Sequence, residues 1–88
     1  MWFLYVIECE DGSLYTGIAV DVHKRFALHL RGKGARYTRA HRPKQLLGVQ
    51  TYPDRGSALS AEYAFKQLSA AEKKSQLRRW PHANLSAR

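Results

Sequence analysis

The first 19 residues constrain the fold more than any other stretch. Trp2 to Cys9 is rich in β-branched and aromatic side chains, a composition that suits a pleated, half-buried surface. Glu10-Asp11-Gly12-Ser13 is a turn signal with Asp-Gly at its centre, and Leu14 to Ala19 reads as the returning strand. The chain therefore opens as a β-hairpin. An isolated hairpin is marginal in water, so the remaining residues must cover it.

The rest supplies that cover. Asp21 is a candidate N-cap for a helix from Val22 to about Arg31, with Val22, Phe26 and Leu30 as its apolar stripe and Gly32 and Gly34 ending it. A basic loop follows. Pro43 precedes a third strand, Leu46 to Tyr52, which Pro53 stops. Ser57 is placed to cap a second helix reaching about Leu68, with Ala58, Ala61, Phe65 and Leu68 on one side. Ser69 and Glu72 have capping-box spacing and open a third helix that ends near Arg79. The order ββαβαα predicts an α+β fold, a small three-stranded and mainly antiparallel sheet flanked by helices. Residues 1–79 are expected to form one domain and 80–88 a flexible tail.

At 88 residues the chain supports a single core. Its one cysteine, Cys9, excludes an internal disulfide and a Cys-based zinc site, so packing alone must hold the fold, as in a reducing cytoplasm. The apolar opening lacks a basic leader and ends at Glu8, Glu10 and Asp11, which reads as a strand and not a secretory signal. No apolar run reaches the roughly 18 residues of a membrane span. A cytoplasmic protein with no membrane partner is expected.

Lys plus Arg number 15 against 7 acids, a formal charge of +8, while 44% of residues are apolar and 11% aromatic. That combination excludes a disordered basic tail and points to a folded domain with a polyanionic partner. The densest basic stretch runs from Arg31 to Lys44 with no acid in it. Its glycines let backbone approach a phosphate, and Tyr37 is suited to stacking on a base. The nucleic-acid-binding candidates are Lys24, Arg31, Lys33, Arg36, Tyr37, Arg39, Arg42, Lys44 and Lys66. A solvated basic loop, or adhesion to anionic lipid, is the duller reading. No amphipathic membrane helix accompanies the charge.

Phe3-Leu4-Tyr5 lies on the first strand and Leu14-Tyr15-Thr16-Gly17 on the second, Lys24-Arg25 and His29 fall in the next helix, and Glu62 in a later one. In this order and spacing the chain resembles the GIY-YIG nuclease family, most closely its short stand-alone bacterial members, over roughly residues 2 to 75. The resemblance implies a metal-dependent nuclease that hydrolyses nucleic-acid phosphodiesters. It matches Tyr5 and Tyr15 to the two motif tyrosines, Arg25 to the helix arginine, His29 to the position four residues on, Glu62 to the metal-binding glutamate and Gly17 to the structural glycine closing the second motif. Thr16 stands where Ile or Val is usual, Phe3-Leu4 replaces Gly-Ile, and the Asn that many members carry beyond the glutamate helix has only the distant Asn84 as a counterpart.

Those residue types suit the chemistry. Arg25 presents a planar fork to charge growing on phosphate oxygens. One carboxylate, Glu62, with water suits a single Mg²⁺ or Mn²⁺. Tyr15 acts as base only if neighbouring cations favour its phenolate, and His29, one helical turn after Arg25, is placed to orient the nucleophile or share that role. Taken singly, each residue has a plain structural reading: a core tyrosine, a surface arginine, a capping histidine, or a Glu62–Lys66 helix pair. Glu72 is a capping residue and not a ligand.

Hairpin parity is a test. A two-residue turn would leave Tyr5 and Tyr15 on opposite faces, whereas a three-residue loop from Asp11 to Ser13 would pair Cys9 with Tyr15 and bring both to one face. With no second domain to choose a site, the enzyme is expected to prefer DNA over RNA and to recognise structure such as ends, flaps or single strands. Otherwise it relies on a protein partner or a homodimer. The alternative is a non-catalytic or partner-activated nucleic-acid-binding module, DNA or RNA, on the same fold.

Overall fold

In the computed structural model, which describes residues 1–80, the chain runs β1 (Trp2–Cys9), β2 (Leu14–Ala19), α1 (Val22–Leu30), α2 (Arg36–Ala40), β3 (Pro43–Tyr52), α3 (Arg55–Lys66) and α4 (Ala70–Leu77). The three strands form one antiparallel sheet in the order β2-β1-β3. The α+β architecture expected from the sequence is the one observed, with an additional short helix inside the basic stretch.

The hairpin closes with a loop of odd length. Gly12 N–H donates to the Cys9 carbonyl at 2.9 Å and Cys9 N–H to the Ser13 carbonyl at 2.8 Å, so Glu10 to Gly12 form the loop. Gly12 has φ 87°, a left-handed conformation that glycine adopts without a Cβ penalty. Asp11 holds the return, accepting from Ser13 N–H at 3.0 Å and from the Ser13 hydroxyl at 2.6 Å. Tyr5 pairs with Gly17 and Ile7 with Tyr15. The loop is three residues long but starts one residue earlier than expected, so Ile7 and not Cys9 faces Tyr15. The parity still brings both tyrosines to one face.

β1 is the central strand, and its alternation builds two cores. Tyr5, Ile7 and Cys9 pack with Ala19, Val22, Leu46 and Val49 on one side. Leu4 and Val6 pack with Phe65 on the other, where Ala61, Leu68 and Leu77 complete the cover. The β1–β3 ladder shifts register between Val6 and Ile7, where Gly48 and then Leu46 are the partners. This bulge at Leu47 lets Leu46 and Val49 join the same core despite their odd spacing.

Several expected boundaries move for local reasons. Asp21 caps α1, accepting from Lys24 N–H, and the Ser69–Glu72 capping box opens α4. The cap of α3 is Asp54, accepting from Ser57 N–H at 2.7 Å, so that helix starts at Arg55 and Ser57 lies inside it. It ends at Lys66 and α4 at Leu77, each short of the expected limit. β3 begins at Pro43 instead of Leu46. On α1 the inward residue of the last turn is His29, fully buried, while Leu30 is 55% exposed. Trp80, the first residue assigned to the tail, packs on Phe65 with ring centres 5.2 Å apart. The remainder of that tail, with Asn84, lies outside the described residues.

Candidate active site

β1 and β2 set the two tyrosines on the same face, and α1 crosses above them. Gly17 stands directly opposite Tyr5, and a Cβ there would come within 2.6 Å of the Tyr5 hydroxyl. The missing side chain lets the Tyr5 ring lie over the neighbouring strand. The Tyr5 hydroxyl reaches His29 Nε2 at 2.8 Å. The Tyr15 ring sits 5.0 Å from the His29 ring and 6.4 Å from that of Tyr5. Arg25, one turn before His29 on α1, donates through Nη2 to the Gly34 carbonyl at 2.9 Å, which leaves its other guanidinium N–H groups available.

α2 closes this cluster from the far side of the histidine. His29 Nδ1 lies 2.7 Å from the Thr38 hydroxyl, which itself donates to the Ala35 carbonyl at 3.1 Å. A Cβ on Gly34 would drive into the His29 ring, so glycine there lets the α1–α2 connection lie flat on the imidazole. Thr38 and Gly34 were not among the expected site residues. Thr38 sits between Tyr37 and Arg39 in a basic stretch, and a five-residue helix is too short for its inward face to show as a period.

Burial sets the electrostatics. Tyr5 is 1% exposed; burial and then the Tyr15 phenol push its hydroxyl up to about 12, against a smaller downward pull from Arg25. Burial, and after it the Arg25 cation, push His29 down to about 4, so its ring is neutral near pH 7. Tyr15 is half-buried and is the more accessible of the two phenols.

Glu62 lies on α3, the helix that covers the Leu4 and Val6 face of the sheet. Its negative charge is felt at the Tyr5 hydroxyl, and its side chain retains 18% exposure. Lys66 pairs with it at 3.3 Å, the i,i+4 contact foreseen as the plain reading, with about half of the lysine side chain still exposed. Among the described residues no three His, Cys, Asp or Glu side chains come together as a metal cage. A single hard carboxylate with an oxygen open to solvent fits a dication that keeps most of its water.

The other basic candidates lie on the surface. Lys24, Arg31, Lys33, Arg36, Arg39, Arg42 and Lys44 are exposed. Arg31, Arg39 and Arg42 line a hollow of about 340 Å³ next to Thr38 and His29. Tyr37 stacks between Tyr15, at 5.9 Å, and His41, at 4.1 Å, and His41 Nδ1 contacts the Asp11 carboxylate at 2.6 Å. This aromatic row ties the hairpin tip to the rim of the site.

The fold agrees with comparisons to known proteins. The profile of the GIY-YIG catalytic domain matches residues 1–76. The chain is 51% identical over 72 residues to a UPF0213 protein of Cupriavidus pinatubonensis, covering 82% of this chain and 80% of that one. It is 51% identical over 80 residues to a UPF0213 protein of Xanthomonas axonopodis pv. citri, covering 91% and 78%. The solution NMR structure of the UPF0213 protein BH0048 from Bacillus halodurans superposes with a TM-score of 0.57 at 39% identity, over 89% of this chain and 84% of that one. The chain belongs to the GIY-YIG family. Within it, its relatives are the short single-domain UPF0213 proteins, and the domain is of nuclease type, with a nucleic-acid substrate and a divalent metal as the general family pattern. No helix of the described residues is long and apolar enough to cross a membrane.

Proposed function

We propose that this protein is a metal-dependent nuclease that hydrolyses phosphodiesters, with DNA ahead of RNA and with selection by nucleic-acid structure instead of sequence. The observation that carries this reading is the convergence of Tyr5, Tyr15 and His29, drawn from two strands and a helix, at contacts of 2.8 to 6.4 Å, with Arg25 one helical turn before His29. The Arg25 guanidinium, half-buried and anchored at one nitrogen, offers its remaining donors to a phosphate whose oxygens gain charge during cleavage. The phenols divide by exposure. Tyr5 is sealed and keeps its proton, so it serves as a fixed support, while Tyr15 is the phenol able to meet and orient the attacking water. Glu62 would hold one Mg²⁺ or Mn²⁺, and such an ion supplies Lewis-acid polarisation of the phosphate when bound. The exposed arginines from Arg31 to Arg42 would carry the backbone on either side.

The test is cleavage of labelled single-stranded, duplex and branched DNA, with matched RNA, in Mg²⁺ or Mn²⁺. Cleavage should disappear with chelator and in Arg25→Ala and Glu62→Gln. Product formation unchanged across these variants would discard the reading. A second reading, binding without cleavage, is favoured by one contact: Lys66 already occupies the carboxylate of Glu62. It expects salt-dependent binding and no product under any metal.

A further inference from the structure

The hydrogen bonds around His29 have only one consistent direction. The Thr38 oxygen lies 3.1 Å from the Ala35 carbonyl oxygen, and a carbonyl cannot donate, so the Thr38 proton lies between them. That proton is then spent. The 2.7 Å contact between Thr38 Oγ1 and His29 Nδ1 needs a proton of its own, which only Nδ1 can supply. A neutral imidazole protonated at Nδ1 has a bare lone pair at Nε2. The 2.8 Å contact there must therefore be filled by the Tyr5 proton. With its proton turned toward His29, the Tyr5 oxygen keeps its lone pairs free to accept from other groups.

The two ends of this chain meet on one dipeptide. Arg25 is fixed directly on the Gly34 carbonyl, and the series Tyr5–His29–Thr38 ends on the Ala35 carbonyl. We propose that Thr38 is a positioning residue: by selecting the Nδ1-protonated tautomer of His29 it fixes the Tyr5 proton toward His29 and keeps the Tyr5 oxygen an acceptor in the site. The opposite tautomer would turn the Tyr5 proton outward and make that oxygen a donor to the site. The imidazole is buried with both nitrogens engaged, so the tautomer is set by these partners and not by water. This inference rests on the nuclease reading for its catalytic consequence but not for its structural content.

The experiment separates the two. Long-range ¹H–¹⁵N correlation spectra of the intact protein at neutral pH read which His29 nitrogen carries the proton. Nδ1 protonated and Nε2 bare is expected in the wild type and in Thr38→Ser. Thr38→Val should shift the balance toward the Nε2-protonated form. It should also lower kcat/KM for DNA cleavage on the order of tenfold or more, with Thr38→Ser restoring it. A wild-type His29 protonated at Nε2 would overturn the proposal even if Thr38→Val failed to fold. So would a Thr38→Val protein with the tautomer or the rate unchanged. A wild type that cleaves nothing would defeat the nuclease reading, while the tautomer spectra still decide the role of Thr38.

Discussion

His29 is where one side chain binds the local physics most tightly. A fully buried imidazole with both nitrogens occupied is stable only while neutral. Its ordinary value of 6.5 is pushed down to about 4 in the folded protein. Between those limits the unfolded chain binds the extra proton and the folded chain does not. Stability from this group is therefore complete above about pH 6.5 and falls as pH drops toward 4, by on the order of 3 kcal/mol. Urea unfolding followed from pH 7.5 to 4.5 should show that slope, and His29→Gln should flatten it. The identity of this residue as a site member was readable from its place four residues after Arg25. Its burial was not, because Val22, Phe26 and Leu30 made an equally regular apolar stripe and nothing local disfavours Leu30 as the inward residue. The neighbouring partner Thr38, supplied by another helix, is what makes a buried histidine tolerable.

At the scale of elements, most of the architecture was legible: hairpin, first helix, third strand and the capping box of α4 each carry their own chemistry in consecutive residues. The failures share a cause. α2 is five residues long and lies in a stretch whose charges mask its one inward side chain. Asp54 and Ser57 are both good caps, and only the observed hydrogen bond decides for Asp54. The start of β3 at Pro43 depends on pairing with Cys9, a partner 34 residues away in sequence that no local pattern announces. The seam between α1 and α2 is equally non-local, and it rests on the absence of a Cβ at Gly34. Gly34→Ala should destabilise the protein by roughly 1–3 kcal/mol, as overpacking does, and displace His29. Denaturant midpoints together with the His29 ring signals would check both effects.

For the whole molecule, the family was legible because order along the chain is preserved however the fold arranges it, and of the proposed set Tyr5, Tyr15 and His29 meet in the fold. What order could not reveal is partnership across elements, and Thr38 on His29 is the example, whereas the Glu62–Lys66 pair is readable from its i,i+4 spacing. The domain measures 28 × 27 × 24 Å, about three screening lengths across in physiological salt, so its charge of +8 acts as local patches and not as one field. Neutralising Arg36, Arg39 and Arg42, on and beside α2, should therefore weaken duplex binding and reduce the log–log salt slope by roughly 0.9 per lost phosphate contact. The same substitutions at Arg78 and Arg79, beyond α4, should leave the slope nearly unchanged. Titrations at several salt concentrations measure both. The odd-numbered hairpin tip, Glu10 to Gly12, imposes a rule on how this scaffold can vary. Lengthening or shortening it by one residue would rotate Tyr15 to the reverse side of the sheet and strand it among Leu4 and Val6, whereas a change of two would restore its aspect. Viable insertions at that tip should come in pairs.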